Sequence, residues 1–338
     1  MLIGLCVVAL LALAPLRSSP QTALEQALAG APGPERQVLE RVKRALDAPP
    51  VNARIDSVWQ LVPELNGVAL DIHATMRHWD GLATRMVFSQ TPPRTAMADL
   101  VAAPIYRGNP AKREMSLMFN VAWGTEYVMR IVQILREHHV AGTFFLDGSW
   151  TKANPGVAKA IVAAGMEVGS HAYNHPMMSR LSRSQMISQM ARTNSVITAA
   201  TGKAVTLFAP PAGDFNALVV RVAAGMNMKT VLWTLDTIDW RRPAPGVILR
   251  RIVSRRTPGA LVLMHPTAPT AAALADMIRQ LQQAGYRLVT VSQMLSPVRP
   301  TPATLNEALT AAGLRRDMAS GIVKRDQQMR PAGIPTKT

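Results

Sequence analysis

The chain has 338 residues, 48% of them hydrophobic, and carries 37 Lys and Arg against 21 Asp and Glu, a formal charge of +16. That apolar content excludes a disordered protein, and the length allows one sizeable core with a smaller appendage or tails. The charge implies a polyanionic neighbour, and the single cysteine, Cys6, excludes an internal disulfide framework or a thiolate metal site.

Leu2 to Leu16 form an apolar run with no charged residue. As a helix it would span about 22 Å, less than the ~30 Å hydrocarbon core of a bilayer. Residues 1–17 are therefore expected to be a signal peptide or a short anchor, with a buried N-terminal helix as the plainer alternative. Ala12-Leu13-Ala14 has the small-x-small form of a cleavage site, but Pro15 behind it, and the lack of a preceding Lys or Arg, leave cleavage open. An exported, extracytoplasmic protein, in the envelope or membrane-anchored, is expected, so the basic charge is assigned to an anionic envelope polymer or membrane surface. Nucleic acid is not an expected partner, because no arginine-rich helix or aromatic-basic interleaved surface is evident.

Residues 18–112 read as an N-terminal helical and extended region. An Ala-, Gln- and Arg-rich segment between about 20 and 50, broken by "GAPGP" and ended by "APPVN", predicts a short helix or tether. "IDSVWQLVPELNGVALDI" predicts a small helix-plus-strand unit. From 90 to 113, Pro92, Pro93, Pro104 and Pro110 predict an extended linker wrapping a neighbouring domain.

Between 113 and 296 the pattern changes to short apolar runs alternating with helical ones, starting with "MSLMFN" and ending with "YRLVTV". Seven such strand-helix repeats imply parallel strands joined by crossover helices, hence an α/β fold. Ser182 with Gln185 has the form of a capping box, and Gly165, Gly202, Gly225 and Gly285 stand where helices should stop. With no GxGxxG after the first strand, a βα barrel fits better than an open dinucleotide-binding sheet. After Pro297 a tail with seven Lys and Arg against three acids is expected to be partly disordered over 297–338, with a helix near 304–316.

In a barrel, functional residues sit where strands end and loops begin. "SLMFNVAWGTEY", "GSHAYNHP", "FAPPAGDFN", "DTIDW" and "LVLMHP" all fall at such positions. His171 and His175, four apart, would on a helical turn point both imidazoles at one divalent ion such as zinc or cobalt. His265 ends an apolar strand, as a general acid would, or as a core histidine bonded to backbone would. Asp236 and Asp239 could orient His265 or cap the following helix. Trp240 offers a flat wall for a sugar ring or an acetyl methyl. His138 and His139, at a helix end, read as surface.

In the order and spacing of these motifs the domain resembles a polysaccharide deacetylase, the NodB-homology domain of carbohydrate esterase family 4. "DSVWQLVPELNG", "PIYRGNP", "NVAWG", "APPAGDFN" and "DTIDW" resemble more narrowly a sporulation-associated, wall-directed branch. The resemblance implies a distorted (β/α)7-8 barrel of this type. It also implies His171 and His175 as metal ligands, His265 as acid, Asp239 as its partner, and Trp240, Leu263, Trp123 and Pro211 in the substrate pocket. The family's first motif supplies two aspartates, a base and a third metal ligand, but Asn120 and Val121 stand there. The family's third-motif arginine is replaced by Ala209. Two functions follow as expectations. One is slow, metal-dependent deacetylation of an acetylated cell-wall polysaccharide such as peptidoglycan, with zinc or cobalt loosely held and Asn120 as a weak neutral ligand, unless Asp214 or Asp236 replaces the missing carboxylate. The other is a catalytically degenerate, non-enzymatic wall-glycan-binding protein.

Overall fold

The computed structural model describes residues 33–314. The expected signal peptide over 1–17 and the tail beyond 314 lie outside the described residues. No helix among the described residues is long and apolar enough to cross a membrane. Two compact units divide the chain.

The smaller unit takes Leu70–Phe88 and the described parts of the two ends. Helix α1 (Pro34–Leu46) begins with proline at its first turn, where a missing N–H costs nothing, and buries Val38, Leu39 and Val42. The short α2 (Ile72–Met76) is capped by Asp71, whose carboxylate accepts from the Ala74 N–H at 2.8 Å. These helices share an apolar cluster with Met86 and with Leu305, Ala308 and Leu309 of a helix at Leu305–Ala311. That last helix lies within the stretch where one was expected near 304–316.

The larger unit, Ala48–Ala69 with Ser89–Thr301, carries the barrel. Its sequence starts well before residue 113, the boundary the repeat pattern suggested. The stretch read as helix-plus-strand holds the antiparallel pair β1 (Arg54–Asp56) and β2 (Gln60–Val62), and β3 (Gly67–Leu70) follows; β4 is Phe88–Thr91.

The barrel strands are β5 (Glu114–Val121), β6 (Thr143–Leu146), β7 (Glu167–Ser170), β8 (Leu207–Phe208), β9 (Lys229–Thr230), β10 (Leu235–Asp236), β11 (Ala260–Met264) and β12 (Arg287–Leu288). They form one parallel sheet in the order β10-β11-β5-β6-β7-β8-β9, with β12 added on the first residues of β5. Sheets built this way are covered on both faces, which is why β5 and β11 read as continuous apolar runs. Along β5 the pleat sends Met118 inward to Phe145, Leu207 and Leu261, and Leu117, Phe119 and Val121 outward to the helix layer.

The helices between the strands follow the local signals. In α3 (Thr125–Glu137) the buried face is Val128, Ile131, Val132, Ile134 and Leu135, each such side chain worth about 1.5–3 kcal/mol when withdrawn from water. Helix α4 (Arg183–Thr201) opens with the Ser182–Gln185 capping box and stops at Gly202 in a left-handed conformation. After the helix containing Gly225, however, the left-handed residue is Asn227, φ 58°, rather than the glycine.

The proline-rich stretch from 90 to 113, read as a linker around a neighbouring domain, instead bridges the end of β9 and the start of β11. The Ile105 N–H donates to Thr230 O at 2.9 Å, and Ile105 O accepts from the Leu232 N–H at 2.8 Å. Three residues on, the Gly108 N–H donates to Gly259 O at 2.8 Å. Closure by a non-helical strap explains why this barrel is distorted: one of its walls has no crossover helix. Gly259 has φ +80°, and a Cβ there would stand 2.6 Å from Gly108 O. Gly259→Ala is expected to lower stability by roughly 2–4 kcal/mol, through left-handed strain and loss of the strap contact. Chemical denaturation checks this, and a change below about 0.5 kcal/mol would contradict the closure described.

Candidate functional site

At the C-terminal ends of the strands lies a cavity of about 360 Å³. The alternation of β5 decides its first wall. Asn120 follows Met118 on the inner face and lines the cavity, while Val121 is fully buried in the helix-side cluster. Asn120 is only 4% exposed, and its Oδ1 has no hydrogen-bond partner. A buried acceptor left unpaired is uncommon and marks this position as one shaped for something other than stability.

His171 follows β7 and is 1% exposed. Its backbone N–H donates to Leu146 O at 2.9 Å, and its Nδ1 lies 2.8 Å from Ala209 O. A carbonyl can only accept, so Nδ1 carries the proton and Nε2 keeps its lone pair. Burial is the main cause that pushes its pKa down, to about 3, so the ring is neutral at physiological pH.

His175 lies with its ring 5.1 Å from that of His171, centre to centre, at 70°. The helical turn expected for this pair is absent. The segment is a loop in which Ala172 and His175 have φ of 60° and 54°, so two left-handed residues, not a helical pitch, bring the imidazoles together. Gln189 on α4 holds the loop: its Oε1 accepts from the Tyr173 N–H at 2.8 Å, and its Nε2 donates to Asn174 Oδ1 at 2.8 Å. Sequence reasoning passed over Gln189, which looks like any polar residue on a helix.

Across the cavity His265 directly follows β11. Asp239, 0% exposed, accepts at Oδ2 from the His265 backbone N–H at 2.6 Å, and its Oδ1 lies 2.7 Å from His265 Nδ1. The Thr270 hydroxyl donates to the same Oδ2 at 2.6 Å. One buried carboxylate thus fixes main chain and ring of a single histidine and leaves Nε2 as the outward nitrogen. Trp123 stacks on that ring at 5.8 Å and 6°. Thr270 was not foreseen, because "TAPT" reads only as a helix start.

Trp240 and Leu263 line the cavity with Trp123. Pro211 is buried in a turn and is not part of the lining; its neighbour Ala212, φ 54°, is. Trp233 also lines the cavity and had no distinguishing spacing. Its ring fixes the choice of Gly213, where a Cβ would stand 2.6 Å from Trp233 Cη2. Ala209 is fully buried in the barrel interior. Of the two acids considered as replacements, Asp214 spends both oxygens on Ser179, at 2.7 and 2.8 Å. Asp236 lines the cavity and accepts at Oδ1 from the Ile238 N–H at 2.7 Å.

The donors facing one another beside Asn120 are therefore two imidazoles and one neutral amide. A catalytic zinc ordinarily takes three protein ligands and is favoured by negative charge among them. Among the described residues no group of three or more His, Cys, Asp or Glu could hold an ion. The residues present do not fit a resident divalent metal, and no chemical step is assigned to one here.

The profile of the family described as polysaccharide deacetylase matches residues 107–231. YlxY of Bacillus subtilis (strain 168) is 42% identical over 254 residues, covering 74% of this chain and 80% of that protein. BA3943 of Bacillus anthracis, described as a CE4 family pseudoenzyme, is 41% identical; the match covers 78% of this chain and 96% of that one, with a TM-score of 0.74. A mutant of BA3943 is described as having restored enzymatic activity. The peptidoglycan-N-acetylglucosamine deacetylase PgdA of Listeria monocytogenes is 30% identical over 183 residues, 54% of this chain but 39% of that protein. A barrel closed by its own strap, a mouth bearing His171, His175 and the His265–Asp239 pair, and likeness to these relatives over most of their shared domain lead to one assignment: the chain belongs to the polysaccharide deacetylase family, carbohydrate esterase family 4.

Proposed function

We propose that this chain is a catalytically silent member of the family that binds N-acetylated wall glycan in the cavity at the barrel mouth. The observation that carries this reading is Asn120. It stands on the inner face, buried and unpaired, where the family resemblance implies a carboxylate. Without it the site lacks the first-motif anion that would serve as metal ligand or base, and Asp236, the carboxylate that does line the cavity, already accepts from the Ile238 N–H; general base catalysis alone is typically worth ~10² to 10⁴ in rate. The likeness to a relative described as a CE4 pseudoenzyme supports the same reading.

What remains suits binding. Trp123, Trp233 and Trp240 surround the cavity with flat apolar surface, and a sugar ring presents C–H faces to such surface. Asn120 Oδ1 is an acceptor awaiting a donor, and the N–H of an acetamido group is one that such a ligand carries. Peptidoglycan is the glycan class supported by the relative acting on it. The expected leader at 1–17 supports an extracytoplasmic location, where that polymer lies, and the sporulation link rests on the motif resemblance alone.

A second reading, slow deacetylation, is favoured by one observation: His265 is still gripped by Asp239, which Thr270 holds in turn, as a general acid would need to be. The two readings part cleanly in the test tube. The full chain is expected to release no acetate from N-acetylglucosamine oligomers or peptidoglycan, with or without added zinc or cobalt; metal-stimulated release would establish the second reading instead. Binding of the same oligomers, followed by calorimetry, is expected to persist in EDTA. Trp240→Ala is expected to weaken it about 5- to 30-fold, through loss of roughly 1–2 kcal/mol of stacking. Loss of binding in EDTA would contradict the metal-free site.

A further inference from the structure

Trp240 stands at the lip of the cavity, 49% exposed, with the guanidinium of Arg241 centred 4.7 Å from its ring. The turn that presents this pair is closely held. Ile238 and Arg242 on either side both have φ 52°, an uncommon backbone for a branched and a long side chain. The Arg241 N–H donates to Ile238 O at 3.2 Å and the Arg242 N–H to Asp239 O at 2.8 Å. The lip is thereby tied to the same Asp239 that grips His265.

Stacking occupies the face of a guanidinium and leaves its edge N–H donors free. Among the described residues neither Arg241 nor Arg242 pairs with a carboxylate. The chain has no Asp or Glu between Asp239 and Asp276, so no neighbour in sequence neutralises them. Asp236, the carboxylate that lines the cavity, already accepts from the Ile238 N–H. A planar, positively charged fork with unspent donors, fixed against the ring that would carry a sugar, matches a carboxylate better than any neutral group.

We infer that Arg241, stacked on Trp240 at the cavity lip, makes this site select an N-acetylated sugar bearing a carboxylate substituent over its neutral counterpart. This rests on the glycan-binding reading above. The sugar face lies on Trp240, and the carboxylate meets the guanidinium edge. Because the lip is exposed, the preference is moderate and is screened by salt.

Three tetrasaccharides test this by calorimetry on the full chain at low salt. One is the neutral N-acetylglucosamine tetramer, the second carries O-lactyl carboxylates on alternate residues, and the third has those carboxylates as methyl amides. The acidic tetramer is expected to bind about tenfold tighter than the other two. Arg241→Gln is expected to bring that ratio to within about twofold, Arg241→Lys to retain part of it, and 0.5 M salt to reduce it in the unaltered chain. Equal affinities in the unaltered chain, or a ratio that Arg241→Gln leaves intact, would overturn the inference while leaving glycan binding in place. Failure of all three tetramers to bind would overturn the glycan-binding reading and this inference with it.

Discussion

A charge buried at the mouth of a barrel must have its partner, and this single constraint shapes the site. The family resemblance implies an anionic pair of residues in the first motif and a cationic one in the third. Here both are gone together: Asn120 is a neutral amide and Ala209 a methyl. Had only the carboxylate been lost, an arginine in the position of Ala209, which is fully buried among apolar side chains, would have cost several kcal/mol. Removal of both leaves an interior with no stranded charge. The first-motif position is thus stable as a neutral one, and that neutrality also withholds the electrostatics that metal capture and water activation need there.

The rest of the chamber keeps its rigidity. His171 is tied to Ala209 O and kept neutral by burial, the 171–175 loop is held by Gln189, and His265 is fixed at two points by one buried carboxylate. Such bonds position side chains within fractions of an ångström whether or not a reaction follows. A recognition surface can therefore outlive the chemistry it once accompanied. The aromatic lip fits this division, since no hydrogen bond joins Trp240 or Arg241 to the imidazole pair or Asn120, and both are set in place by a strained turn that follows β10.

Much of this was legible in the residues. The strand-helix repeats, the capping box at Ser182 and the strand-end placement of His171, His265 and Asp239 follow from period and local chemistry, which depend on near neighbours. What escaped depends on distant ones. The strap at Ile105 pairs with strand β9 more than a hundred residues away, and prolines alone could not say whether such a stretch wraps or closes. The approach of His175 to His171 uses left-handed residues that carry no glycine signal, since Ala172 and His175 both adopt φ near +60°. Motif analogy puts Pro211 in the pocket, whereas the turn shows Ala212 to it instead. The two faces of β5 separate Asn120 from Val121, a distinction that a two-residue motif match hides and strand alternation restores.

The account stands on the neutrality of one position facing two imidazoles. Asn120→Asp returns a carboxylate to the inner face without touching the helix-side core. Zinc titration and acetate release from N-acetylglucosamine oligomers, measured on this variant beside the unaltered chain, address that claim most directly. The account predicts tight zinc binding that the unaltered chain lacks, and acetate release higher by a factor on the order of 10² or more. A variant that folds and binds oligomer yet neither gains zinc nor releases acetate would contradict it, as would equal turnover by the unaltered chain.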